Sequence, residues 1–390
     1  MHARHLAPAL VLLLVGCPTV RDDDDSAAND DDSAGASLDC VGTTAELPGP
    51  ATVAWCDGQL TLAYASTSTV RFGRVDAEGT ITESSQLSPN GDGDAPQIGA
   101  GPDGHCLVVW SEVEDEGQSG RMAVLDPALE RTLLPHGESD NAVSFGPIRA
   151  WGDRFLVPWT DLGSPVRSRV AMVSVDAILL DERNVGDTGA RAPAVAGDGD
   201  RLATAWVVDR AVRGAVLSDA GAQLGNTGTL TTLGVYQTGP LEAVGGGFTL
   251  VFVEQPEDAG VPIGAQLHAA RVSREGVLDG VAPVTDADEE AYYPAMDVLD
   301  DGLLLAWQQT TEEFVPGSTV VGADVMVQRL DASGAPVGEA IGVSGNPRSL
   351  SFQPQIAVGE DEVAITWQDW SQAEEYRTLL KVLPRGCWGP

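Results

Sequence analysis

The chain has 390 residues, 43% of them hydrophobic, which is enough to bury a sizeable core. Acidic residues outnumber basic ones by 58 to 22, and the formal net charge at pH 7 is −36. A surface this negative repels nucleic-acid phosphates and anionic membrane surfaces. The composition therefore argues against a nucleic-acid-binding protein and favours solubility, cations and basic partners.

The first residues have the composition of a targeting segment. Arg4 precedes the apolar run 6–15, which is too short to span a bilayer as a helix. The run ends in Leu14-Val15-Gly16-Cys17, which resembles the lipobox of bacterial lipoproteins, where the cysteine becomes the lipid-modified N-terminus. We therefore predict a lipoprotein signal peptide over residues 1–16 and lipidation of Cys17. The resemblance implies export and a lipid anchor in the outer membrane or at the cell surface of a Gram-negative bacterium.

Residues 17–39 follow as an acidic segment of aspartate, serine and alanine without aromatic residues. Such a sequence cannot bury enough apolar surface to order itself, and its like charges extend it. We predict a disordered tether, with a weak cation-binding strip as the alternative. A tether of this composition directly after a lipobox resembles predicted surface lipoproteins of myxobacteria and their relatives, which says nothing about activity.

A repeated unit covers the remainder of the chain. In each copy a proline is followed 12 to 14 residues later by a large aromatic residue, with a Gly/Asp turn between them such as Gly197-Asp198-Gly199. The aromatic ends a short apolar run, as in residues 363–367, which is typical of a strand buried on both faces. The prolines are Pro50, Pro96, Pro147, Pro193, Pro240, Pro294 and Pro354. The aromatics, called anchor aromatics below, are Tyr64, Trp110, Trp159, Trp206, Phe252, Trp307 and Trp367.

Each copy has about four short strands, and the period matches propeller blades. We therefore predict an all-β fold, a seven-bladed β-propeller of four-stranded antiparallel blades over residues 40–390, with a β-sandwich as the alternative. The only unassigned strand, 40–47, is expected to complete the last blade and close the ring. Pro158 interrupts an apolar run, so the third unit fits worst. The predicted blades lie near 48–92, 93–142, 143–190, 191–235, 236–290, 291–348 and 349–390 plus 40–47. Over residues 48–390 the unit resembles bacterial secreted propeller-repeat proteins, whose shared motifs are structural.

Four cysteines besides Cys17 suggest two disulfides in an exported chain. Closure of the ring by the N-terminal strand would bring Cys40 and Cys387 to one turn. Cys56 and Cys106 would fall on the same rim of neighbouring blades. We predict these two pairs.

One face of the predicted propeller is the candidate binding face, since long loops after the second strands share it. An acid also recurs two residues after the anchor aromatic, or three in one unit. Such acids either hold a cation together or cap their own loops through backbone N–H groups. The candidate binding residues are Glu112, Asp161, Asp209, Glu254, Phe314, Asp369 and Trp370.

These features favour a lipid-anchored binding or interaction module of the cell envelope with a protein or glycan ligand. The alternatives are an extracytoplasmic hydrolase of glycans or esters that uses carboxylates of the same face, and a purely structural envelope protein. No nucleophile elbow or phosphate loop is present in the sequence. We expect a monomer that contacts the membrane only through its lipid, and no cofactor, with calcium as the one ion the acidic loops could hold.

Overall fold

A computed structural model describes the chain from Cys40 to Trp388 with internal gaps. The described residues are 40, 42–88, 93–114, 117–134, 143–186, 188–219, 223–231, 234–255, 257–258, 261–262, 264–287, 289–310, 322–345, 350–370 and 376–388. The predicted signal peptide, Cys17 and the predicted tether lie outside them. Within these ranges the regular elements are strands and two short 3₁₀ turns, η1 (Pro102–Gly104) and η2 (Arg385–Trp388). None of the helices described here is long and apolar enough to cross a membrane.

The strands of the described chain pair into seven successive antiparallel units. Units one and two contain β2 (Ala51–Cys56), β3 (Gln59–Ser66), β4 (Thr69–Val75) and β5 (Ile81–Gln86), then β6 (Gly93–Ala100), β7 (Cys106–Glu114), β8 (Gly117–Leu125) and β9 (Arg131–Leu133). Unit three contains β10 (Val143–Phe145), β11 (Arg149–Trp151), β12 (Arg154–Asp161), β13 (Arg167–Ser174) and β14 (Leu179–Val185). Unit four contains β15 (Arg191–Asp198), β16 (Arg201–Val208), β17 (Ala211–Ser218) and β18 (Gln223–Thr231).

Unit five contains β19 (Val235–Val244), β20 (Gly247–Glu254), β23 (Gln266–Ser273) and β24 (Leu278–Pro283), with the small hairpin β21 (Glu257–Asp258) and β22 (Val261–Pro262) between its middle strands. Unit six contains β25 (Ala291–Val298), β26 (Gly302–Thr310), β27 (Ala323–Asp331) and β28 (Pro336–Gly342). Unit seven contains β29 (Leu350–Val358), β30 (Glu362–Trp370), β31 (Tyr376–Pro384) and β1 (Thr43–Leu47). One parallel pair, Ala323 with Leu350, links the sheets of units six and seven.

The hydrophobic core lies between neighbouring units. The second strand of each unit is buried on both faces, which explains its continuous apolar run, and the fourth strand is mostly exposed, as β5 shows. Each of seven large clusters of buried side chains joins two consecutive units. All seven anchor aromatics are buried, and five of them belong to these clusters, as Trp110 and Trp307 illustrate at 1% exposure each. The sequence pattern places each aromatic at the end of a buried strand, and the burial of all seven confirms that expectation.

The two ends of the described chain meet in unit seven. Strand β1 pairs antiparallel with β31, from Thr43 opposite Val382 to Leu47 opposite Thr378. One of the seven core clusters joins β1, β30 and β31 to β2 and β3 of unit one. The predicted disulfides are both present: Cys40–Cys387 beside the β1–β31 pair, and Cys56–Cys106 between units one and two.

Pro158 does not interrupt the second strand of unit three, as the sequence had suggested. β12 is continuous, and Pro158 pairs with Val170 of β13. The first strand of unit three, which precedes β12, is divided into β10 and β11. Gly146 lies between these two segments and donates its N–H to the Pro158 carbonyl. The backbone N and O of one strand residue point to the same side, so the Pro158 nitrogen faces the gap between β10 and β11. Its lack of an N–H therefore costs no hydrogen bond between β12 and β13.

Candidate functional site

Four of the predicted acids lie at the ends of second strands, and each is bound to a base of its own unit. The Glu112 Oε2 atom lies 3.1 Å from Arg121 Nε, and Asp161 Oδ2 lies 3.6 Å from Arg169 Nη2. The corresponding distances are 2.6 Å between Glu254 Oε2 and His268 Nε2, and 3.1 Å between Asp369 Oδ2 and Arg377 Nη2. These acids therefore lie in four separate acid–base contacts, of which the three with arginine are ion pairs, and do not form one cluster.

The bases belong to the third strands, and most of them lie opposite the anchor aromatic. The Arg169 guanidinium stands 5.0 Å from the Trp159 ring centre, and the His268 ring stacks on Phe252 at 5.5 Å. Burial lowers the pKa of His268, and the Glu254 carboxylate offsets part of that effect. An aromatic, a base and an acid thus form a repeated packing unit inside the blade.

The loop-capping interpretation of the acids holds in part. Asp161 caps its own loop, since its Oδ1 accepts the backbone N–H of Gly163 at 2.9 Å. Asp369 does not, since its Oδ1 accepts the hydroxyl of Ser351 on the neighbouring strand at 3.0 Å. Asp209 is exposed in the β16–β17 turn with φ of 49°. Phe314 lies outside the described residues. Among the described side chains, no three of His, Cys, Asp and Glu lie close enough together to hold a metal ion.

Trp370 belongs to an aromatic cluster that the sequence did not reveal. The cluster consists of Phe352 at the start of β29, Trp370 at the end of β30 and Tyr376 at the start of β31, all at the edge of unit seven that carries the acids. The Trp370 and Tyr376 rings stack 6.1 Å apart at 18°, and Phe352 meets Tyr376 edge-on at 6.3 Å. Tyr376 is 72% exposed, whereas the other two rings are half-buried.

Amide groups lie beside this aromatic cluster. The Gln368 Nε2 atom donates to Gln353 Oε1 at 3.0 Å, and Gln353 is exposed. Exposed rings next to polar groups that can donate and accept hydrogen bonds are typical of ligand-binding surfaces.

A second candidate site is a cavity of about 570 Å³. It is lined by the first strand of every unit, called the innermost strand below. Its walls carry three charged residues: Arg149 of β11, Glu242 of β19 and Asp297 of β25. All three share one register level, since each pairs with the second-strand residue three positions before the anchor aromatic. The remaining four positions at that level are the small residues Ala54, Gly99, Ala196 and Ala357.

Arg149 connects three units across this cavity. Its guanidinium forms an ion pair with Glu242, and Nη2 donates to the Met296 carbonyl at 3.2 Å. Glu242 is 4% exposed, and burial raises the pKa of Glu242 to about 8 despite the arginine. Burial also raises the pKa of Asp297, whose Oδ2 accepts the Val358 N–H at 2.7 Å.

The sequence reasoning missed Arg149, Glu242 and Asp297. A signal was present, because these residues follow the repeat prolines by two or three positions, and the equivalent residues of the other units, three or four positions after their prolines, are alanine or glycine. A charged residue at a repeat position where the other units have small residues indicates a role other than core packing.

No protein-family model and no curated protein matches this sequence. Solved structures do match. The β-propeller domain of the trilobed protease from Pyrococcus furiosus, with open velcro topology, aligns with a TM-score of 0.51 and 9% identity over 88% of this chain and 97% of that one. The polysaccharide lyase Uly1 aligns with a TM-score of 0.52 and 8% identity over 87% and 91%.

An acylaminoacyl peptidase also aligns, with a TM-score of 0.52 and 10% identity, over 88% of this chain and 52% of the peptidase. At these identities the likeness extends to the fold alone. The repeated antiparallel units and these neighbours identify the fold as an all-β propeller.

Proposed function

We propose that this chain is a lipid-anchored binding module of the bacterial cell envelope, a seven-bladed propeller whose aromatic cluster binds a neutral glycan. The exposed stack of Trp370 and Tyr376, with Phe352 against its edge, carries the proposal for the ligand. Rings held in a fixed geometry by β-strands offer an apolar surface at little entropic cost.

The charge of the chain favours a neutral glycan over an anionic one. With a formal charge of −36, the chain repels uronate and sulfate groups. Arg377, the base beside the cluster, is already bound to Asp369. The amides of exposed Gln353 and half-buried Gln368 suit uncharged hydroxyl groups.

Closure of the seven units into a ring is supported by three contacts between the ends of the domain. These are the β1–β31 ladder, the Cys40–Cys387 bond and the core cluster shared by units seven and one. The innermost strands β2 and β29 also contact each other, and the cavity is lined from all seven units.

The lipid anchor is supported by the Leu14-Val15-Gly16-Cys17 motif and the acidic segment behind it. A multiply acylated cysteine anchors a protein stably, since each buried CH₂ contributes about 0.8 kcal/mol. Expression in a Gram-negative host with mass spectrometry of the N-terminal peptide tests this proposal. We expect acyl groups on Cys17 and a soluble protein after Cys17→Ser; an unmodified Cys17 behind a different cleavage site contradicts the anchor.

Affinity electrophoresis tests the ligand with two polymers that share one backbone. We expect hydroxyethylcellulose, which is neutral, to retard the protein and carboxymethylcellulose, which is anionic, not to do so. Tyr376→Ala should weaken the retardation about tenfold, which corresponds to roughly 1.4 kcal/mol. Tyr376→Phe is the matched control, since it keeps the ring and should bind like the wild type.

Equal retardation of wild type and Tyr376→Ala would contradict the role of the aromatic cluster. Release of new reducing ends from the neutral polymer would instead support the alternative, an extracytoplasmic glycan hydrolase. That alternative requires a carboxylate free to exchange protons with substrate. Of the five acids predicted from the sequence, three are ion-paired with arginine and Glu254 contacts His268.

A further inference from the structure

The cavity between the innermost strands is suited to a ligand of its own. Its volume of about 570 Å³ falls inside the range of roughly 300–1,000 Å³ that is typical of small-molecule sites. Four of the seven positions at its charged level are alanine or glycine, which leaves space opposite the charged side chains.

The charges in this cavity do not balance. Arg149 supplies one positive charge, whereas Glu242 and Asp297 supply two negative charges when both are ionised. The charged groups that act on Glu242 are Arg149 and Asp297, and Asp297 is also influenced by Arg385. A bound proton then makes up the missing positive charge, which agrees with the pKa of Glu242 at about 8.

A donor in the same cavity lacks a partner. The Nε atom of Arg149 is buried and has no hydrogen-bond acceptor among the described residues, although Nη1 donates to the Ile148 carbonyl at 3.0 Å and Nη2 to Met296. A buried N–H without an acceptor costs about 1–3 kcal/mol, so a ligand oxygen that reached this atom would stabilise the site.

We propose that this cavity binds a small hydroxylated organic cation, with its amine beside Glu242 and Asp297 and an oxygen that accepts from Arg149 Nε. The amine supplies the missing positive charge, and the hydroxyl groups meet the polar edges of the innermost strands. The strongly negative chain also raises the local concentration of cations near the cavity.

Isothermal titration of the mature protein with N-methylglucamine and with sorbitol tests the proposal, because the two polyols differ mainly in the amine. We expect N-methylglucamine to bind at least tenfold more tightly than sorbitol at pH 8. Its affinity should fall about tenfold or more at pH 6, where the proton on Glu242 competes with the amine, which stays charged throughout.

Glu242→Gln is the decisive variant, since it removes the charge and retains the shape. It should weaken binding of N-methylglucamine at least tenfold at pH 8 and abolish the difference between pH 6 and pH 8. Glu360→Gln, at an exposed position outside the cavity, removes the same charge. It should leave unchanged both the affinity at pH 8 and the difference between pH 6 and pH 8.

Three results would overturn this proposal: equal affinity for the two polyols, equal effects of the two glutamine variants, or no binding heat up to about 50 mM ligand. The proposal does not rest on glycan binding. Tyr376→Ala should leave the affinity for N-methylglucamine unchanged, so failure of the aromatic cluster and failure of the cavity are distinguishable.

Discussion

At the scale of single residues, Glu242 is one group whose titration makes stability depend on pH. Its pKa is raised from the ordinary 4.5 to about 8 because burial penalises the charged form more than Arg149 favours it. A raised folded-state pKa means that stability is fullest below pH 4.5 and is lost as the pH rises towards 8. We therefore expect Glu242→Gln to exceed the wild type by about 3–5 kcal/mol in unfolding free energy at pH 8 and to match it near pH 4.5.

Urea denaturation between pH 4.5 and 8.5 measures this difference. Glu360→Gln controls for a general loss of negative charge, since that side chain is exposed. A gain that is the same at every pH, or that shrinks as the pH rises, would show that Glu242 is not a buried titrating group.

The recurring acids were predictable from the sequence, but their partners were not. The position two residues after the anchor aromatic correctly marked one end of the second strands for Glu112, Asp161, Glu254 and Asp369. Their bases belong to the next strand, and which residue lies opposite depends on the hairpin register, as in the pairing of Trp110 with Arg121. That register could not be read where the loop between the two strands is long.

At the scale of elements, four of the innermost strands share an unusual backbone just before the repeat proline. Ala95, Ala192, Tyr293 and Gln353 have φ between 47° and 52° there, whereas the glycines before Pro50, Pro147 and Pro240 do not have a positive φ. The ladder register shifts at this point, for example between Asp94 and Gln97, so the residue belongs to a bulge. This conformation costs a non-glycine residue roughly 1–2 kcal/mol.

Two alanines of strand β6 offer a matched test. Ala95 is exposed with φ of 48°, and Ala100 is exposed without a positive φ. Glycine relieves the strain at Ala95 but costs about 0.5–1 kcal/mol in chain entropy at either position. We expect Ala95→Gly to stabilise by about 0.5–1 kcal/mol and Ala100→Gly to destabilise by a similar amount. Denaturant titration measures both, and equal losses in the two variants would refute the strain.

Second strands were the most predictable elements, because burial on both faces leaves a continuous apolar run such as residues 303–307. Pro158 misled the prediction for unit three. A strand proline is costly only where its missing N–H faces a partner, and the partner strand is interrupted there between Phe145 and Arg149.

At the scale of the whole molecule, the Cys40–Cys387 bond joins the two ends of the domain. It closes a loop of 347 residues, whereas Cys56–Cys106 closes one of 50. On the loop-entropy model the longer loop contributes about 1.7 kcal/mol more. We expect Cys40→Ser with Cys387→Ser to lower the unfolding free energy by about 3–5 kcal/mol, and more than the double serine variant of the shorter loop.

Guanidinium denaturation of the two double variants measures this contrast. An equal or smaller loss for the Cys40–Cys387 pair would indicate that the ends of the domain are held together without the bond, through β1 and its core contacts.

The overall architecture was largely predictable because the repeat occurs seven times, and the N-terminal strand had no other place to pair. The cavity was not predictable, since Arg149, Glu242 and Asp297 meet only where the innermost strands of different units line one cavity. The aromatic cluster was half predictable: Trp370 follows a recognisable strand, whereas Phe352 and Tyr376 join it only through strand register.

The most direct test of the proposed function is a crystal structure of the mature protein soaked with an oligosaccharide of the neutral polymer that binds it. The account predicts a sugar ring in contact with Trp370 and Tyr376, with hydroxyl groups near Gln353 or Gln368. A sugar bound elsewhere, or an aromatic cluster covered by the protein's own loop, would contradict it.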